Sequence, residues 1–128
     1  MSGRRSRNKG SRGELEVASV LQGYGFDVVR TPNSGGLQWR GDLDGLDGYV
    51  MEVKRCERLE VPAWMRQAYA AARAGEVPVV AFRRSARQGA VQRDPDTYWH
   101  VILPLEEFAR LLTLKRPAVS ERGAEVGL

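Results

Sequence analysis

The stretch Gly41-Asp42-Leu43-Asp44-Gly45-Leu46-Asp47-Gly48-Tyr49-Val50-Met51-Glu52-Val53-Lys54-Arg55-Cys56 decides how the rest of the chain is read. Asp47-Gly48 between two runs with apolar residues is a strong hairpin signal, and it predicts strands over 41–46 and 49–56. Alternate side chains of a strand share a face, so Tyr49, Met51 and Val53 point one way while Val50, Glu52 and Lys54 point the other. The hairpin folds Asp42 back beside Glu52. Two carboxylates and an ammonium then meet at one place. Carboxylate pairs suit Mg2+, which takes hard oxygen ligands and keeps some of its waters for chemistry. A lysine beside such an ion can orient the attacking water and offset charge on a phosphate. Taken alone, Glu52-Val53-Lys54 also reads as an exposed strand face with a cross-strand ion pair.

The remaining composition narrows the chemistry to this kind of site. A chain of 128 residues, 42% hydrophobic, fits one packed domain. Cys56 is the single cysteine and His100 the single histidine, so an internal disulfide and a Cys/His zinc site are both excluded. Gly-x-Ser-x-Gly, Walker and Gly-x-Gly-x-x-Gly loops are absent from the sequence. Carboxylate and lysine chemistry with a hard metal ion is what is left. Of the 20 cations 17 are Arg, and Lys54 is the single Lys between Lys9 and Lys115. Keeping Lys here suits a compact point charge, which approaches a metal-bound water more closely than a planar guanidinium does.

Charge is unevenly placed. The formal net charge is +4, yet residues 1–12 hold Arg4, Arg5, Arg7, Lys9 and Arg12 with no acid; the other 15 cations face 16 anions. A basic arm over 1–12 is expected, contacting phosphates if the body offers a second basic surface. One candidate is the acid-free stretch from Val77 to Arg93, which carries Arg83, Arg84, Arg87 and Arg93. The expected organisation is a basic arm over 1–12, one domain over 13–114 and a flexible tail over 115–128.

Along the domain the pattern alternates. A helix is expected over 14–24 with Ser11 as its N-cap, a short strand over 26–30, and a turn-rich loop over 31–36. After the hairpin come a helix from Val61-Pro62 to about residue 74, strands over 77–82 and 98–103, and a third helix over 104–112. The fold class is therefore α/β, in the order α-β-β-β-α-β-β-α, with a mixed β-sheet flanked by helices. Trp64, Met65 and Tyr69 supply core or a dimer surface, His100 a strand residue, and Cys56 packing beside the site. Glu106 and Glu107 supply charge at a helix N-terminus.

The ordered set of residues resembles a known family. Gly41-Asp42 followed by Glu52-Val53-Lys54 looks like the PD-(D/E)xK nuclease motif, and the wider pattern is similar to archaeal-type Holliday junction resolvases. That pattern comprises Lys9-Gly10, Glu14 in the first helix, Gly25-Phe26-Asp27-Val28-Val29-Arg30, the loop Asn33-Ser34-Gly35-Gly36, the Asp42…Glu52-x-Lys54 hairpin and Gln67 in the next helix. The resemblance implies a restriction-endonuclease-like fold and a homodimer that cuts four-way DNA junctions symmetrically, leaving 5'-phosphate and 3'-hydroxyl ends. Mg2+ is the implied cofactor, with Mn2+ able to substitute, and no small-molecule cofactor is implied. Asp42, Glu52 and the Val53 carbonyl would bind the metal, with Glu14 acting through a water or on a second ion. Lys54 would orient the water and Ser34 would sit near the scissile phosphate. Arg30, Arg55 and Gln67 would join the basic residues in contacting DNA. Gly41 stands where the family usually has Pro. The Leu37-Gln38-Trp39-Arg40 segment departs from the family pattern, and Asp44 is placed to substitute for Asp42 or to add a ligand.

Two other readings stay open at this level: a restriction or repair nuclease of the same superfamily, and a non-catalytic DNA-binding module on the same fold. The sequence holds no apolar run of the roughly 20 residues that cross a bilayer. The expectation is a cytoplasmic protein without a membrane partner, acting on nucleoid or viral DNA.

Overall fold

The structure is a computed structural model describing residues 2–32, 40–84 and 95–115, with side chains described from Ser11 onward and not at Asp96. Its elements run α1 (Ser2–Gly23), β1 (Val29–Arg30), β2 (Leu43–Asp44), β3 (Tyr49–Cys56), α2 (Val61–Ala71), β4 (Val77–Arg84), a 3-10 turn (Pro95–Thr97), β5 (His100–Ile102) and α3 (Leu105–Lys115). The expected order of helices and strands is met.

The centre is β3, β4 and β5. β3 and β4 run parallel with Glu52 opposite Val80 and Arg55 opposite Arg83, and β5 is antiparallel on the outer side of β4. Parallel neighbours need a long crossover, and α2 provides it. Alternation along the strands sorts their side chains between two layers. Met51, Val53, Val79 and Ala81 pack on Val17 and Ala18 of α1, together with Val28 and Leu43. Val80 packs on Trp64 and Ala68 of α2, flanked by Cys56, Met65, Phe82 and Ile102. Trp64 and Met65 are thus core, as expected of at least one of the α2 residues, while Tyr69 is exposed. Gly13 lets α1 lie close to the sheet, since a Cβ there would come within 3.3 Å of both Arg55 and Trp99.

Three expectations are corrected. α1 begins at Ser2, well before Glu14, and passes through Ser11 without a cap. The basic segment is therefore continuous with the helix that carries Glu14. α2 ends at Ala71, short of residue 74. The hairpin is also irregular. β1 and β2 shrink to two residues each and pair with one another, Val29 opposite Asp44 and Arg30 opposite Leu43. The segment bearing β2 joins β3 through two backbone bonds, Asp42 N–H donating to the Met51 carbonyl at 2.8 Å and Tyr49 N–H to the Leu46 carbonyl at 3.0 Å, and through the Asp42 side chain. The physical cause is two glycines in the left-handed region, Gly41 at φ +75 and Gly45 at φ +109, which break the extended path.

Gly41 is required on two grounds. Its φ is closed to the family's usual Pro, and a Cβ would stand 2.8 Å from the Met51 carbonyl oxygen and 3.0 Å from Val50 Cγ1. Gly41→Ala is expected to destabilise the protein by about 2–3 kcal/mol, read as a lowered urea midpoint at constant m-value.

Candidate active site

The seam between the β1–β2 pair and the three-stranded sheet is where the acidic residues meet. Asp42 leaves Gly41 with its N–H fixed on Met51, and its Oδ2 accepts the Val53 N–H at 2.7 Å. Glu52 follows one residue after Met51, buried at 4% exposure. Glu14 reaches the same place from α1, hydrogen-bonded to Arg30 Nε at 2.9 Å, and Arg30 Nη2 continues to Ser11 Oγ at 3.2 Å. Lys54, two positions beyond Glu52, donates to Gln67 Oε1 of α2 at 2.7 Å. The sequence's Asp42, Glu52, Lys54 and Glu14 are thus brought together, with Gln67 and Arg30 each holding one of them.

Crowding shows in the protonation of these groups. Burial pushes the Glu52 carboxyl up to about 7, the Asp42 and Glu14 charges adding to it and Lys54 opposing. Burial also raises Asp42 against the opposing Val53 N–H and Lys54 charge, and raises Glu14 against its hydrogen bond from Arg30. Buried carboxylates that repel one another are a site in want of a cation. The donor set fits a hard divalent ion, because Asp42 and Glu52 offer carboxylate oxygens beside the Val53 main chain. Among the described residues no three His, Cys, Asp or Glu side chains form a ready-made cage. An ion here would accordingly lean on main chain and water beyond its carboxylates.

The other residues singled out from sequence fare differently. Arg55 and Arg83 each donate to Glu16 at 3.0 Å, Trp99 Nε1 adds a third bond at 3.1 Å, and the Nε atoms of both arginines are buried without a protein partner. Glu16 was not legible as a hub: it lies two residues from Glu14 and its partners come from β3, β4 and the approach to β5. Arg12 and Gln67 are exposed, and Arg84 is half-buried at the end of β4. Asp44 is exposed on the rim of a separate cavity of about 270 Å³ that Arg40, Asp47 and Glu76 also line. Arg40, the one described residue of the atypical 37–40 stretch, donates to Glu76 and the Ala71 carbonyl at that cavity's edge. Glu107 lies in the first turn of α3 as expected, but is also buried and bonded to Tyr49 and Arg110, which hold its carboxyl down to about 2. His100 is exposed on β5, its ring 5.7 Å from Phe82, and Cys56 packs on the α2 side as expected. Ser34, Arg87 and the side chains of Arg4, Arg5, Arg7 and Lys9 lie outside the described residues.

Comparison with known proteins bears on the same chemistry. The model of a family described as "Phage putative PDDEXK endonuclease" matches residues 5–119. No curated protein and no solved structure matches the chain.

The raised carboxylates make stability depend on pH. Glu52 has a folded pKa of about 7 against 4.5 when solvated, so the folded chain binds the extra proton. Its contribution is complete below about pH 4.5 and is lost as pH rises through about 7. Asp42 and Glu14 act with the same sign. In EDTA the urea midpoint is expected to fall between pH 5 and pH 8, and Glu52→Gln to raise stability at pH 8 by about 1–3 kcal/mol while flattening that slope.

Proposed function

Because the chain belongs to this PDDEXK endonuclease family, a nuclease group that acts with divalent metal ions, we propose that it is a Mg2+-dependent endonuclease that resolves four-way DNA junctions as a homodimer. The observation that carries the reading is the convergence of Glu14 from α1, Asp42 from the turn before β2, and Glu52 and Lys54 from β3 at one seam. A non-catalytic DNA binder would gain nothing from three clustered carboxylates facing phosphate, Glu52 buried and Asp42 and Glu14 half-buried.

Asp42, Glu52 and the Val53 carbonyl would hold the metal, with Glu14 behind them. Bound there, the ion would lower the pKa of a water and neutralise charge on the phosphate oxygens. The chain's own groups do the positioning. The Val53 N–H fixes the rotamer of Asp42, and the Met51 carbonyl fixes its backbone. Arg30 keeps Glu14 turned toward Asp42. Gln67 steadies the Lys54 ammonium, which orients the attacking water and offsets phosphate charge. In the reaction the water oxygen bonds to phosphorus and the P–O3' bond breaks. Its electron pair leaves on O3', which takes up a proton, while the water's proton passes to solvent. The products are a 5'-phosphate and a 3'-hydroxyl.

DNA affinity would come mainly from phosphate contacts made by the basic residues. Arg4, Arg5, Arg7, Lys9 and Arg12 on the first half of α1 would supply charge, with Arg84 at the end of β4 and Arg87, which lies outside the described residues. Arg55 and Arg83 keep a net positive charge beyond Glu16. Ser34, which lies outside the described residues, would complete the set near the scissile phosphate if the family resemblance extends to it. Two cuts related by symmetry need two active sites, hence the dimer. Among the described residues no helix is long and apolar enough to cross a membrane. The reading places the protein on cytoplasmic DNA, of the nucleoid or of a virus.

The test compares a four-way junction with a linear duplex of the same arm sequences, in Mg2+, Mn2+ and EDTA. Paired symmetric cuts confined to the junction, in either metal and absent in EDTA, are expected. Equal cutting of both DNAs overturns the junction assignment and leaves a nuclease of restriction or repair type. Asp42→Asn and Glu52→Gln are each expected to slow cleavage at least about 100-fold. Binding to the junction in EDTA should hold or tighten, since each change removes a negative charge from the phosphate path.

A further inference from the structure

α1 meets the sheet on a face of small side chains. Gly13, Val17 and Ala18 are buried there, with Leu21 partly so, while Leu15 and Val20 stand exposed. Gly13 lies so close that a Cβ would meet Arg55, Trp99 and Val53, all within 3.5 Å. Shallow ridges of this kind let a helix approach closely but do little to fix its rotation about its own axis. That rotation aims Glu14 at Asp42. At the outer radius of a helix, about 5–6 Å, a roll of about 20° carries a side-chain end roughly 2 Å. Mg2+ demands near-ideal octahedral geometry, which such a shift destroys.

Two ion-pair ties stand where they can hold the angle. At roughly 100° per residue, Glu14 and Glu16 lie about 80° to either side of the line through Gly13 and Val17. On one flank Glu14 accepts from Arg30 of β1 at 2.9 Å. On the other, Glu16 accepts from Arg55 of β3 and Arg83 of β4, both at 3.0 Å, and from Trp99 at 3.1 Å. A roll that slackens one tie stretches the other, so the two hold the helix between them. The Glu16 tie is hard to release. Arg55 and Arg83 sit opposite each other on β3 and β4 and are largely buried, their Nε atoms without a partner. Among the described residues Glu16 is the one carboxylate that either of them bonds. Letting go of it would leave two like charges side by side and uncompensated.

We infer that Glu16 is a positioning residue for the metal site: by holding Arg55 and Arg83 it sets the roll of α1, and through that roll the place of Glu14 beside Asp42. Glu16 itself stays out of the site, on the far flank of the helix. The inference rests on the metal-dependent reading proposed above and adds the residue on which the placing of Glu14 depends.

Calorimetric titration of the full chain with Mn2+, without DNA, tests this, with far-UV circular dichroism to confirm that each variant is folded. The wild type is expected to bind. Glu16→Gln should raise the Mn2+ Kd about 10-fold, as loss of support behind a metal ligand does. Arg83→Gln should raise it too, by a smaller factor, because Arg55 and Trp99 still hold Glu16. The two variants separate position from charge. One removes a negative charge and the other a positive one, so a through-space effect alone would weaken binding in the first and tighten it in the second. Should Glu16→Gln fail to fold, the sign of the Arg83→Gln effect decides alone. Opposite signs, or an unmoved Mn2+ affinity in variants that lose only urea resistance, overturn the inference and leave the metal site standing. A wild type that binds no Mn2+ overturns the metal-dependent reading, and the inference with it.

Discussion

The bond from the Val53 N–H to the Asp42 carboxylate, at 2.7 Å, is the contact on which the rest of the site depends. β2 and β3 share no ladder, so little else ties the loop bearing Asp42 to the strand bearing Glu52 and Lys54. The Asp42 N–H on the Met51 carbonyl completes a two-point clamp. One carboxylate oxygen is thereby occupied by main chain, and the Asp42 side chain is also hydrogen-bonded to Glu14. The same bond lowers the proton affinity that burial raises in Asp42. Position and charge state are set together, as a metal ligand requires.

Around this clamp several arginines are committed to carboxylates. Arg30 is committed to Glu14, Arg40 to Glu76, and Arg55 with Arg83 to Glu16. A surface count of cations therefore overstates what the described body can offer an anionic polymer. Glu16 explains why these guanidiniums are drawn inward: a single carboxylate ties α1 to β3 and β4. The helix that carries Glu14 is thus locked to the strand that carries Glu52.

What could be read from sequence follows the range of the forces involved. The alternation in Tyr49 to Lys54 is local, so the faces of β3 and the company of Glu52 and Lys54 were legible. The αβ order was legible for the same reason, each element announcing itself by its own period and breakers. The start of α1 was not, because residues 2–13 have no apolar stripe and two glycines sit within their last four positions. The partition of β2 was hidden as well: Asp47-Gly48 marks the turn correctly, but Gly41 and Gly45 twist the strand off its partner. Pairings such as Arg83 with Glu16 span 67 residues. They arise only once three elements are in place, and no local pattern encodes them.

The continuity of α1 alters how a basic N-terminal segment would work on the proposed reading. A loose arm adds affinity and salt dependence to DNA binding, but transmits nothing. Here the segment and Glu14 share one helix from Ser2 to Gly23, a rod of about 30 Å at 1.5 Å rise per residue. Glu16, gripped by Arg55, Arg83 and Trp99, fixes that rod against the sheet. A phosphate held near the start of α1 would therefore lie at a set distance and angle from Glu14 and Asp42. The chain would measure the path of the backbone and not its sequence. Measuring a path is what discriminating a bent, branched DNA from a straight one demands of so small a protein.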